Sequence, residues 1–156
     1  MAKQLEGDRV LVTNRKALFE YEILERVEAG VCLAGTEVKS VREGGLNFRD
    51  AYVEPRNEEL FLVDCHIAPY SHGNLLNHAT GRTRKLLLHK REILKLTGRV
   101  LERGLTLVPL KAYLKNGRVK VEIGLARGKK IHDKRVAIRR REQERETRRA
   151  VQAHRR

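Results

Sequence analysis

The chain has 156 residues, with 34 Lys or Arg against 20 Asp or Glu, a formal net charge of +14. That length suits one domain and a tail, and a hydrophobic content of 40% excludes wholesale disorder. No apolar run approaches the roughly 18 to 20 residues of a membrane span, and Met1 to Glu6 lack the apolar stretch of a secretory signal.

In chain order, the first strands are expected over Phe19 to Ala29 and Val31 to Ala34. Thr36 reads as the N-cap of a helix over Glu37 to Arg42 that stops at Gly44-Gly45. Further strands are expected at Ala51 to Glu54, Leu60 to Ile67 and Lys85 to Leu88. Cys32 and Cys65, the two cysteines, lie in apolar strand-like runs and read as buried free thiols of a reducing cytosol. Residues 71–84 form the longest loop, polar and carrying His72 and His78. A second helix is expected over Lys90 to Arg103, with Ile93, Leu94, Leu96, Val100 and Leu101 available to the core and Gly104 as its stop. Leu105 to Leu114 and Val119 to Leu125 make a hairpin about Asn116-Gly117, a pair that supplies the positive φ angles of a type I′ turn. Pro109 inside the first of these strands implies an edge or a bulge. Short strands, few helices and a basic surface together predict a mainly β chain folded as an OB-like barrel.

The charge divides the chain in two. Residues 127–156 carry a net +9, whereas residues 1–126 carry +5 and all seven aromatic residues. From Arg139 to Arg149 no side chain is apolar, so this stretch cannot offset its own ordering entropy by burial. Residues 1–126 are therefore expected to be the folded body, and 127–156 a basic tail disordered in isolation.

Catalysis finds little support. The two serines, Ser40 and Ser71, lie outside any nucleophile elbow, and the six-residue spacing of His66, His72 and His78 matches no zinc site. No clustered carboxylates and no phosphate loop occur, so no metal and no cofactor are expected. Nucleic-acid binding has positive signals: Arg82, Arg84 and Lys85; Lys111, Lys115, Arg118 and Lys120 along the hairpin; and Gly128-Lys129-Lys130 opening the tail. With so few aromatics, structured RNA fits better than a single-strand stacking platform.

The motifs narrow this further. Asn14-Arg15-Lys16-Ala17, Glu28-Ala29-Gly30, Gly35-Thr36-Glu37-Val38-Lys39-Ser40, Arg84-Lys85-Leu86-Leu87-Leu88, Leu107-Val108-Pro109 and Gly128-Lys129-Lys130-Ile131-His132-Asp133-Lys134-Arg135 occur in that order. The succession, from about residue 8 to 150, resembles the SmpB family of SsrA-binding proteins, the partners of bacterial transfer-messenger RNA. The resemblance implies an OB-like Greek-key barrel and a tail that turns helical on the ribosome. It also implies an adaptor that binds the tRNA-like domain of transfer-messenger RNA and brings it to stalled ribosomes, with elongation factor Tu, as a cytoplasmic, non-enzymatic monomer without membrane contact.

By the same resemblance, Glu28, Leu87 and Lys120 fall at positions that contact the RNA, with Asn14, Arg84, Lys85, Lys129 and Lys130 added to that surface. Tyr21, Tyr52, His132, Asp133, Lys134 and Arg135 fall at positions facing the small-subunit decoding centre and the mRNA channel. Each has a plainer reading: Leu87 as core, Glu28 as a solvated strand residue, Asn14 as an N-cap, the tyrosines as packing, His132 as an idle solvated ring. Asp133 reads as the N-cap of a tail helix. His89 stands where some relatives carry Asn, and either touches RNA or caps the second helix. Ala150-Val151 replaces a larger apolar pair near the end.

Overall fold

Nine strands and four helices follow one another in the computed structural model, which describes residues 9–71, 77–129 and 131–154, of which 131–138, 153 and 154 by backbone alone. β1 (Arg9–Thr13) leads into α1 (Arg15–Glu20), which the strand expectation over Phe19 missed. Asn14 starts this helix: its Oδ1 accepts the Ala17 N–H at 3.2 Å, and its Nδ2 donates to Pro109 O at 2.8 Å. Six residues are too few for a periodic signal, and the cap draws on a partner 95 positions away. β2 consequently begins at Tyr21 and runs unbroken to Val31. α2 (Gly35–Arg42) starts before Thr36, because the Glu37 carboxylate turns back to accept the Ala34 N–H at 2.8 Å. The Thr36 hydroxyl pairs instead with His78 Nδ1 at 2.9 Å.

β3 (Leu46–Asn47), β4 (Tyr52–Arg56), β5 (Glu59–Val63), β6 (His66–Ile67) and β7 (Arg84–Leu87) follow. The single strand expected over Leu60 to Ile67 breaks at Asp64, whose φ of 56° cannot continue a ladder. α3 (Lys90–Arg103) has the expected bounds, and Gly104 ends it in the left-handed region at φ 61°. Ile93 and Leu96 are buried, but Leu94 and Leu101 are 48% and 79% exposed and leave the core list. β8 (Thr106–Lys115) and β9 (Arg118–Gly128) flank Asn116 at φ 52° and Gly117 at φ 73°, the hairpin turn expected from the sequence.

All pairings are antiparallel, in the order β1-β8-β4-β5-β7-β2-β9, and β9 pairs again with β8, so six strands close into a barrel. β8 makes closure possible by changing neighbours along its length: Leu107 pairs with Val53 of β4, while Lys111 to Leu114 pair with β1. The register slips between Pro109 and Lys111, the bulge that Pro109 implied. Leu60, Leu62, Leu86, Leu107, Val121 and Ile123 fill the interior, each contributing about 1.5 to 3 kcal/mol of burial.

Beneath β7 lies an ionic centre. Glu37 and Arg84 are both fully buried and paired, and Arg82 adds a second guanidinium to the same carboxylate. Arg84 also donates to Cys65 O at 2.7 Å and Arg82 O at 2.8 Å. Burial works to raise the Glu37 pKa, but hydrogen bonds from Arg82, the Ala34 N–H and Arg84 outweigh it and hold the carboxyl below 4.5. Cys65 is buried, with its thiol pushed up to about 12 by burial. Cys32, expected to be buried, is exposed, because β2 ends one residue before it.

Residues Ile131–His154 form α4, one 24-residue helix, where composition led to an expectation of disorder in isolation. Among its described side chains, Arg141 meets the body, over the Phe19 ring and 5.5 Å from the centroid. A helix without an apolar stripe is marginal in water on its own.

Candidate RNA-binding surface

The outward face of β7, β2, β9 and β8 aligns residues from four strands. Leu87 pairs with Gly30, Gly30 with Lys120, and Lys120 with Tyr113, forming one cross-strand row. In the next row Glu28 pairs with Glu122, and Glu122 with Lys111. Gly30 has a steric reason: a Cβ there would lie 3.2 Å from Leu87 Cβ and 3.7 Å from Lys120 Nζ. Its absence lets a leucine and an ammonium group border one hollow. That hollow, of about 520 Å³, is lined by Glu28, Gly30, Leu87, Leu88, His89, Glu92 and Lys120.

Three residues named from the sequence therefore meet. Leu87 is 50% exposed, which removes its core reading. Glu28 accepts the Tyr113 hydroxyl, and Lys115 Nζ lies 3.3 Å from its Oε2. The Tyr113 hydrogen bond holds the Glu28 carboxyl below its ordinary value against partial desolvation, aided by Lys115 and Lys120. Lys120 makes no ion pair among the described residues, so its charge remains available to a ligand. A carboxylate, an ammonium group and an exposed leucine in one hollow can bind a base edge or ribose hydroxyl, a phosphate and a base face together.

Other candidates lie elsewhere. Asn14 is 8% exposed with both amide ends engaged, so it shapes the surface and does not present its side chain there. It lines a second concavity, of about 340 Å³, with Lys16, Arg49, Tyr21 and Tyr52. The two tyrosines thus come together, away from Glu28. Arg84 is a correction: the buried Glu37 carboxylate draws its guanidinium inward, leaving it no exposed surface. Lys85 is exposed but pairs with Glu59 at 3.0 Å. The Lys129 N–H donates to Glu20 O at 3.0 Å, tying the start of the tail to α1.

His132, Asp133, Lys134 and Arg135 lie in the first two turns of α4, where only the backbone is described; Lys130 lies outside the described residues, as does His72. Since α4 begins at Ile131, Asp133 sits inside the first turn and does not cap it, a position the helix dipole still favours for a carboxylate. His89 is the N-cap residue of α3, but its side chain makes no cap hydrogen bond and faces the hollow instead. Glu92 and Tyr113 were missed as site residues. Tyr113 was within reach of the sequence, because a two-residue turn at Asn116-Gly117 sets it opposite Lys120. Among the described residues no three His, Cys, Asp or Glu side chains converge as a metal site, and no helix is long and apolar enough to cross a membrane.

Comparison with known proteins places the chain in a family. The family model described as SmpB protein matches residues 11–153. An SsrA-binding protein of Thermosynechococcus vestitus is 57% identical over 144 residues, covering 92% of this chain and 95% of the relative. Another, of Acaryochloris marina, is 54% identical over 147 residues, with 94% and 96% covered. A solved structure described as "tmRNA-SmpB: a journey to the center of the bacterial ribosome" holds a chain 49% identical to this one, with TM-score 0.67, covering 83% of this chain and 94% of that one. With the match running from β1 through α4 at such identity, the chain belongs to the SmpB protein family.

Proposed function

We propose that this chain is a non-enzymatic adaptor of trans-translation. It binds the tRNA-like domain of transfer-messenger RNA through the Glu28–Leu87–Lys120 hollow and delivers it to ribosomes stalled on broken messages. One observation carries the reading: the row Leu87–Gly30–Lys120, with Glu28 beside it, gathers acceptor, cation and apolar platform from β7, β2 and β9. The names of its relatives support the partner, and the solved relative supports the ribosomal setting. Lys85 and Lys129 add phosphate contacts at the margin of the surface, and Lys130 joins them at the root of the tail. Tyr21 and Tyr52 face the ribosome with His132, Asp133, Lys134 and Arg135, while α4 lies along the empty mRNA channel, neutralised by RNA phosphates. The chain acts as a cytoplasmic monomer, entering the ribosome with elongation factor Tu and the aminoacylated RNA.

The test is binding to transfer-messenger RNA and to an ordinary tRNA across a salt series. A grip of 6 to 10 phosphates alone should weaken roughly 10³- to 10⁵-fold between 50 and 200 mM salt for both RNAs. Tight and selective binding of transfer-messenger RNA at the higher salt supports the adaptor. Equal loss for both RNAs would reduce the surface to a general polyanion grip of the kind ribosomal proteins use.

A further inference from the structure

Glu28 and Glu122 face each other directly across β2 and β9, a like-charge pairing that destabilises a sheet unless each carboxylate has its own partners. Glu122 is taken by Arg26 at 2.9 Å and Lys111 at 3.6 Å. Glu28 is held differently. It accepts the hydroxyl of Tyr113, reaching from β8 across β9, and at the longer distances of 3.3 and 3.4 Å it accepts the Lys115 ammonium. The Tyr113 ring is half-buried and has Lys111 Nζ 5.4 Å from its centroid, so its position is set from below and from the side. The shorter contact comes from a neutral hydroxyl and the longer ones from Lys115, while Lys120, the cross-strand neighbour of Tyr113, is left for the ligand.

We propose that Tyr113 is a positioning residue for RNA recognition: its hydroxyl holds the Glu28 carboxylate at the edge of the hollow as a ready acceptor for base N–H groups or ribose hydroxyls. This rests on the reading of the hollow as the RNA site. Tyr113 does not touch the RNA; it acts through Glu28. Without it an exposed carboxylate held by the long Lys115 contacts alone would sample several rotamers and meet the RNA with its orientation unset.

The test is a two-residue cycle on the full chain, with Tyr113→Phe, Glu28→Gln and the double variant, read as affinity for in vitro transcribed transfer-messenger RNA. Phe keeps the ring and removes the hydroxyl alone, and the melting temperature of each variant reports whether the barrel is intact. Tyr113→Phe should weaken binding about 3- to 10-fold, and the double variant should bind no worse than Glu28→Gln. A second readout is the pH profile. Glu28 is faced by Tyr113 and Lys115 from β8, by Lys120, Glu122 and Arg118 from β9 or its turn, and by His89 and Glu92 across the hollow. Removing the hydroxyl deletes the largest influence lowering the Glu28 pKa, so affinity should begin to fall at a higher pH in Tyr113→Phe than in the wild type as acid is added. The substitution acts on the carboxylate that the hydroxyl bonds, so the difference between the two profiles belongs to Glu28. Losses that multiply in the double variant, or a Tyr113→Phe protein with wild-type affinity and pH profile, would overturn the positioning role and leave the hollow as the RNA site. Wild-type affinity in Glu28→Gln would remove the hollow itself from the interface, and this role with it.

Discussion

Arg84 offers the sharpest separation between a residue that holds the fold and one that touches RNA. Its guanidinium is fully buried on Glu37 and also donates to the carbonyls of Cys65 and Arg82. In Glu37→Ala the Arg84 charge stays buried with no carboxylate, and breaking such a pair costs about 3 to 5 kcal/mol. For a body of this size that is a fall in melting temperature of about 10 to 20 °C. Arg84→Met removes the donor from the Cys65 and Arg82 carbonyls, at about 1 kcal/mol or more each, and the longer bonds to Ala79 O and Thr80 O, while Glu37 keeps Arg82 and the Ala34 N–H. The double variant should therefore cost less than the sum of the two, by roughly 1.5 kcal/mol or more, in a cycle measured by chemical unfolding.

The pH dependence has a definite sign. The Glu37 pKa is lowered in the folded state from its ordinary 4.5, so its stabilisation is present in full above that value and is lost as pH falls through the folded value. The gap between wild type and Glu37→Ala should accordingly narrow in acid. At a temperature where Arg84→Met stays folded, its affinity for transfer-messenger RNA should lie within about twofold of wild type. Additive losses within about 0.5 kcal/mol would refute the buried-pair account, and a tenfold loss of RNA affinity would put Arg84 back on the RNA surface.

Gly30→Ala should leave the fold near wild-type stability yet weaken RNA binding severalfold, because the new methyl group lies 3.2 Å from Leu87 Cβ and narrows the hollow beside Lys120; unchanged affinity would count against that hollow. A thiol reagent should label Cys32 rapidly and Cys65 only on unfolding, given exposure of the first and complete burial of the second, with its pKa near 12; two fast thiols in native protein would contradict this. Deleting residues 131–156 should move the melting temperature by about 3 °C or less, since the described side chains of α4 are exposed and meet the body at Arg141 on Phe19, while Asp133→Ala with Lys134→Ala should spare RNA affinity and abolish peptide tagging. A large drop in melting temperature, or parallel losses in both assays, would mean that body and tail do not work separately.

What the sequence disclosed follows from how local each signal is. The Asn116-Gly117 turn, the stop at Gly104 and the bulge at Pro109 each depend on backbone rules of one or two residues, and all stand in the structure. Asn14 caps α1 as one of its readings had it, but Thr36 and Arg84 went the other way, because their partners come from His78 and Glu37, far along the chain. Arg84 in particular looked like one more cation in a basic run. Nothing in the run itself distinguishes a guanidinium that will meet a buried carboxylate from one left in water. Leu87 fell between these cases. Alternation in Arg84-Lys85-Leu86-Leu87 sets Leu86 inward and Leu87 outward once the register is known, but a row of three leucines hides that phase.

The chain's charge and its proposed selectivity sit in different places. Of the net +14, residues 127–156 carry +9, and the described side chains of α4 from Arg139 to Val151 are exposed. The hollow instead combines two carboxylates, Glu28 and Glu92, with one ammonium group, an imidazole and two leucines. A surface meant only to hold phosphates would gain nothing from those carboxylates, since each repels a backbone oxygen. A carboxylate in an RNA site earns its place where it meets N–H or O–H donors, and there its orientation matters more than its charge. That is the role the Tyr113 hydroxyl and Lys115 would serve for Glu28, while Gly30 keeps Lys120 within reach. On the proposed reading, generic attraction belongs to the tail and discrimination to the barrel, a division that would let one small chain approach many polyanions and commit to one.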